Sequence, residues 1–214
     1  MPQPFMLNFL IILFAITLFY FSIAERFRTY AKLIAFQGVI LFGISFLELK
    51  EVNLVNFIFI ATETLLFKAI IVPILLYRII NQNRVYRVHP KAVPGFYILI
   101  ISMIALIVSI LLSNFLNSEF VDSIYLSVAL FTLFTGVILI VTHRLIFSHM
   151  VGFLLMENAV FLFSMAVGNE MPMLINLGIL LDIFASVLII GVLMNRIGSR
   201  FSDLEVNNLT RLKH

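Results

Sequence analysis

The chain has 214 residues, of which 62% are hydrophobic and only 12% are charged, about half the charged share of an average soluble domain. It contains no cysteine, which excludes disulfides, thiolate metal sites and Cys-held iron–sulfur clusters within the chain. The net charge of +3 is modest and gives no indication of nucleic-acid binding. The composition predicts an all-α, polytopic transmembrane helix bundle.

Charge-poor runs of about 20 residues, the length that crosses a bilayer core, divide the chain into seven predicted spans. The first run lacks a basic leader and is too long for the core of a signal peptide, so we interpret it as a retained span. The predicted spans cover residues 4–24, 31–49, 53–77, 93–116, 121–142, 146–168 and 172–195.

Basic residues concentrate in alternate loops, after the first, third, fifth and seventh spans, while the other loops are mainly acidic. Positive charge near span ends favours the cytoplasmic side. The pattern therefore predicts an N-terminus outside the cell and a C-terminus in the cytoplasm.

A faint repeat relates the first three spans to the last three, and it would put Gln37 roughly where Glu157 falls. The alternative is that any seven apolar helices resemble one another, since repeats in such folds are weak. With the repeat, the chain divides into a three-helix unit, a linking fourth span, a second three-helix unit and a cytoplasmic tail, at residues 1–92, 93–120, 121–196 and 197–214.

Four ionisable side chains lie deep inside predicted spans: Glu63, Lys68, Glu157 and Asp182. A charged side chain at a helix centre costs about 3 kcal/mol on insertion scales. Such groups commonly mark an ion or proton path. The alternative for each is a structural role, as a buried ion pair or a hydrogen-bonded acid.

Small residues surround Asp182 on its helix face, with Gly178 one turn before it and Ser186 one turn after it. Small neighbours let another backbone or a water approach closely. Glu157 is followed by Asn158 and lies near the middle of its own span. Two acids at similar depth on consecutive spans can act as adjacent stations for a proton.

The third predicted span holds both Glu63 and Lys68, with Pro73 one turn beyond Lys68. Five α-helical residues turn through about 140° beyond a full circle, so Glu63 and Lys68 are predicted to be poor partners. Pro73 is expected to leave a carbonyl unpaired and to kink the helix. Gln37 is predicted to form a hydrogen bond between helices.

Three stretches resemble hydrogenase-4 component E, a membrane protein of the formate hydrogenlyase and group 4 [NiFe]-hydrogenase complexes. They are KAIIVP from Lys68 to Pro73, GFLLMENA at residues 152–159 followed by DIFASVLII from Asp182, and the tail EVNNLTRLKH at residues 205–214. The last three spans also resemble the small three-helix subunit of respiratory complex I and its counterpart in Mrp-type antiporters.

The resemblance implies that Glu157 and Asp182 occupy the places of two intramembrane glutamates, the second being a departure because Asp is one methylene shorter. It further implies a subunit that is not an enzyme by itself and holds no haem, quinone or metal. Its implied setting is a prokaryotic inner membrane, with antiporter-like subunits and a peripheral hydrogenase or other redox module as neighbours.

Three functions remain open at the level of sequence. The first is proton handling within a redox-linked membrane complex, by Glu157 and Asp182 with Lys68 and Glu63 nearby. The second is a scaffold that holds antiporter-like subunits to the redox module. The third, an independent transporter, is weaker because such carriers usually contain broken helices and Pro73 is the one clear interior breaker.

Overall fold

The computed structural model describes residues 4–48, 57–58, 60–83, 94–116 and 121–167, and the regular elements in these ranges are helices. Five of the helices are long and apolar enough to cross a membrane. A sixth is continuous but changes from π-helical to α-helical geometry along its length. In chain order they are α1 (Pro4–Ile23), α2 (Phe27–Glu48), α3 (π-helical Ala61–Ile71, then α-helical Val72–Asn83), α4 (Gly95–Phe115), α5 (Ser123–Thr142) and α6 (Ile146–Ala166).

Four of the predicted spans, the first, fourth, fifth and sixth, agree with α1, α4, α5 and α6 to within two residues at each end. The second helix instead begins at Phe27, because Arg28 and Lys32 are exposed at its start and need not interrupt it. The span predicted at 172–195 lies outside the described residues. The count of seven spans, their orientation and the domain boundaries therefore stay predictions.

The helices pack as a bundle in which α1 contacts α2, α4 and α5, and α3 lies against α2. The buried face of α4 consists mainly of small residues. A hydrogen bond between the hydroxyl groups of Ser22 and Ser102, with 2.6 Å between their oxygen atoms, links α4 to α1. Large apolar side chains such as Ile16, Leu111 and Phe115 are exposed on the outside. Apolar exterior and polar interior contacts are what a bundle surrounded by lipid requires.

The α5–α6 pair crosses at two glycines. A Cβ on Gly136 would lie 2.8 Å from the carbonyl oxygen of Gly152, and a Cβ on Gly152 would lie 2.8 Å from the carbonyl oxygen of Gly136. Side chains are therefore excluded at this crossing, and the two backbones touch. Close approach through small residues is a common way for membrane helices to associate.

One end of the bundle gathers the α1–α2 turn, the α5–α6 turn and the end of α3. The hydroxyl of Tyr30 lies 3.5 Å from Nε2 of His143, and Arg28 donates to the side chain of Asn81 at 3.1 Å. The opposite end is marked by Tyr125, which donates to Glu48 at 3.0 Å. The charge pattern of the sequence assigns the basic loops to one side of the membrane. The described parts of these loops lie at one end of the bundle.

Candidate functional site

Three charged side chains meet in the interior of the bundle, and we call Glu63, Lys68 and Glu157 the central charged cluster. The Lys68 ammonium lies 3.4 Å from Oε1 of Glu157 and 3.9 Å from Oε1 of Glu63. Relative exposures are 7%, 4% and 7% for Glu63, Lys68 and Glu157. At this burial the pairing is shielded from water, so each charge depends on its protein neighbours.

Lys68 has a third neighbour in Phe161, whose ring centre lies 4.6 Å from the ammonium. This distance is within the range in which a cation is attracted to an aromatic face. Phe161 and Glu157 are four residues apart on α6, so they share one face of that helix. The α6 helix therefore offers Lys68 both a carboxyl group and a ring.

The prediction that Glu63 and Lys68 are poor partners is wrong, and the backbone of α3 explains why. Residues Ala61–Ile71 form a π-helix, and at its end the Val72 N–H donates to the carbonyl of Phe67, five residues earlier. Hydrogen bonds that close over five residues bring positions five apart toward the same face. Glu63 and Lys68 have this spacing.

Pro73 lies two residues after the end of the π-helical segment, as the second residue of the α-helical part of α3. Proline cannot donate a backbone hydrogen bond and is tolerated in the first turn of an α-helix. The predicted break at Pro73 thus corresponds to a change of helical geometry. That change lies within one turn of Lys68.

Gly38 on α2 allows the backbone of α3 to come unusually close. A Cβ at this position would lie 2.8 Å from the nitrogen of Ala69 and 2.9 Å from the carbonyl carbon of Lys68. Both atoms belong to backbone and cannot rotate away. Gly38 therefore sets the distance between α2 and the part of α3 that carries Lys68.

A neutral hydrogen-bonded chain lies across three helices beside the charged residues, and we call Thr17, Gln37 and Asn158 the amide chain. Asn158 donates to the side-chain oxygen of Gln37 at 3.0 Å, and Gln37 donates to the Thr17 hydroxyl at 2.8 Å. Thr17 in turn donates to the carbonyl of Phe14 at 2.6 Å. The predicted interhelical role of Gln37 is confirmed, and the chain joins α6, α2 and α1.

Replacing Gln37 with Leu should lower the free energy of unfolding by about 1–3 kcal/mol, because Asn158 and Thr17 would lose their buried partner. The matched control is Thr135→Val on α5, whose hydroxyl bonds within its own helix, to the Phe131 carbonyl. That control should cost less than about 1 kcal/mol. Denaturant unfolding in mixed micelles measures both, and equal losses would contradict an interhelical role for Gln37.

Gln37 and Glu157 lie near the middle of their helices. Gln37 is the eleventh of the 22 residues of α2, and Glu157 is the twelfth of the 21 residues of α6. A helix of about 20 residues spans the hydrocarbon core, so both positions fall near its middle. The neutral and the charged groups therefore share one layer.

Of the predicted site residues, the structure brings Glu63, Lys68 and Glu157 together and links Gln37 to Asn158. The remaining three, Asp182, Gly178 and Ser186, lie outside the described residues. Sequence reasoning missed Thr17, Gly38 and Phe161. The four-residue spacing from Glu157 could have indicated Phe161, whereas Thr17 and Gly38 gave no signal apart from their small size.

Two sets of curated proteins are similar to the chain. An uncharacterized protein of Mycobacterium tuberculosis is 25% identical over 189 residues, which cover 87% of this chain and 86% of that protein. Hydrogenase-4 component E of Escherichia coli K12 is 35% identical over 88 residues, and the same match is found in Shigella flexneri. That match covers 41% of each chain, so the similarity spans less than half the length of component E. No protein-family model and no solved structure matches the chain.

Proposed function

We propose that the chain is an integral membrane subunit of a multi-subunit, redox-linked, proton-translocating complex of the hydrogenase-4 kind, and that the central charged cluster takes part in moving protons. The observation that carries the proposal is the meeting of Glu63, Lys68 and Glu157 inside a lipid-embedded bundle. Ionisable groups at such depth are costly and are retained mainly where they serve an ion path.

The similarity to hydrogenase-4 component E supports the choice of complex. In the proposal, antiporter-like membrane subunits and a peripheral hydrogenase or other redox module are the partners, and a prokaryotic inner membrane is the location. The subunit catalyses no reaction by itself. Redox events in the partner module would change which carboxyl groups of this subunit hold protons.

The residues are assigned separate tasks. The carboxyl groups of Glu157, Glu63 and, on the following predicted span, Asp182 together form the proton-handling set. Lys68 supplies a fixed positive charge within 4 Å of two of these carboxyl groups, which sets how readily each gives up its proton. Asn158, Gln37 and the small residues Gly178 and Ser186 hold the helices in place around them.

A scaffold role is the second candidate, and one contact favours it. The Lys68–Glu157 pair joins α3 to α6, two helices whose backbones are otherwise held together through α2. A buried ion pair of this kind can serve helix association alone. In that case the pair would be needed for assembly and not for proton transfer.

The experiment that separates the two roles compares Glu157→Gln with Glu48→Gln in inner-membrane vesicles. Glutamine keeps the shape of glutamate without its charge, and at position 48 it keeps an acceptor for Tyr125. We expect Glu157→Gln to assemble normally on native gels and to lower redox-driven proton translocation at least about tenfold, within the range that positioned acid–base groups contribute. Glu48→Gln should change neither.

Full translocation in the Glu157→Gln vesicles would contradict a proton-handling role for Glu157. Loss of the complex from native gels would favour the scaffold. Because Glu48 lies at the end of α2, a loss of translocation in its variant as well would indicate a general effect of removing acids.

A further inference from the structure

The central charged cluster has an unequal number of positive and negative groups. Two carboxyl groups share one ammonium, and the neighbouring side chains Gln37, Asn158 and Phe161 carry no charge. With every group ionised, the described part of the interior would hold one uncompensated negative charge. Such a charge is strongly unfavourable away from water, and a carboxyl group avoids it by keeping a proton.

The two carboxyl groups are not equivalent in their contacts. Glu157 lies nearer to the ammonium, at 3.4 Å against 3.9 Å for Glu63. The second oxygen of Glu63, Oε2, is buried and has no hydrogen-bond partner among the described residues. An ionised carboxylate offers about four acceptor sites, and leaving them empty in an apolar interior is costly. A neutral carboxyl group tolerates such surroundings better.

We propose that Glu63 is the carboxyl group of the central charged cluster that carries the exchangeable proton, while Glu157 is the ionised partner of Lys68. The assignment rests on the proposed proton-handling function and differs from the expectation from sequence, in which Glu157 and Asp182 were the main proton stations. The π-helical geometry of α3 is what holds Glu63 within reach of Lys68.

The transfer step involves one proton and no electron. The O–H bond at Oε2 of Glu63 breaks, and the proton passes to a water molecule or to a carboxylate of a neighbouring helix or subunit. The Glu63 carboxylate that remains is stabilised by the Lys68 ammonium, which now lies between two negative groups. Return of a proton from the opposite side restores the starting state.

The test is infrared spectroscopy of the assembled complex in membranes, because a protonated carboxyl group has a carbonyl band separate from that of a carboxylate. The wild-type complex should show such a band that shifts in heavy water. Subtracting the spectrum of Glu63→Gln should isolate it. Glu63→Asp should move the band, since the shorter side chain alters the surroundings of the carboxyl group, and Glu157→Asp should move it less, since Glu157 acts on Glu63 through Lys68.

A band that moves more with Glu157→Asp than with Glu63→Asp, or a Glu63→Gln spectrum identical to wild type, would overturn the assignment. A band that does not shift in heavy water would also overturn it, because the proton would not be exchangeable. Proton translocation measured on the same vesicles tests the proposed function separately. If the Glu63→Gln and Glu157→Gln proteins both translocate protons fully, the proposed function fails, whichever residue gives rise to the infrared band.

Discussion

Replacing Lys68 with Met should destabilise the protein by about 3 kcal/mol, at the lower end of the loss usual when one partner of a buried ion pair is removed. Two carboxyl groups would then face each other without the ammonium that lies 3.4 Å and 3.9 Å from them. Both would be expected to take up protons, which limits the loss. Proton translocation should fall at least about tenfold, because neither carboxyl group would release its proton readily.

The control for this variant is Lys32→Met, which removes the same charge from an exposed position one turn into α2. Exposed substitutions away from special features usually change stability by no more than about 0.5 kcal/mol. Denaturant unfolding in mixed micelles and vesicle translocation measure the two effects. Equal behaviour of the two variants would mean that Lys68 is not engaged with the acids.

Replacing Gly38 with Ala should be strongly damaging although it alters no charge or hydrogen-bonding group. The added methyl group would meet backbone atoms of Lys68 and Ala69 at 2.8–2.9 Å, so α2 and α3 must separate. Overpacking of this kind typically costs about 1–3 kcal/mol. Translocation should also fall, because the ammonium of Lys68 would be displaced from Glu157.

The matched control is Gly43→Ala on the same helix. Among the described residues, its methyl group would meet the flexible end of Leu10, at 3.2 Å, and alanine is the better helix former by about 1 kcal/mol. We expect Gly43→Ala to be neutral or slightly stabilising in the same unfolding assay. A Gly38→Ala protein as stable as Gly43→Ala would contradict the close approach of α2 to α3.

Span positions were predictable because apolar run length is set by the bilayer. Helix α4, for example, was expected at 93–116 and is found at Gly95–Phe115. The third span was expected at 53–77, but the described helix runs from Ala61 to Asn83. The charge of Arg78 suggested an end there, yet the side chain is exposed and the helix continues past it.

The site was predictable in its residues but not in its geometry. Depth within a span identified Glu63, Lys68 and Glu157 as unusual. The π-helix could not be predicted, since such segments are rare and the α-helical residue pattern does not distinguish them. Contact between Lys68 and Glu157 joins positions 89 residues apart, a distance over which a single sequence gives no pairing information.

The glycine crossing of α5 and α6 has a mechanical consequence. The backbones of α5 and α6 touch at Gly136 and Gly152, so no side chain separates the two helices at their crossing. The two helices are therefore expected to move as one rigid unit. A force applied by an adjoining subunit at the short α5–α6 turn would be transmitted along the whole hairpin. The carboxyl group of Glu157, which faces Lys68, would therefore move together with α5, and not by independent sliding of α6.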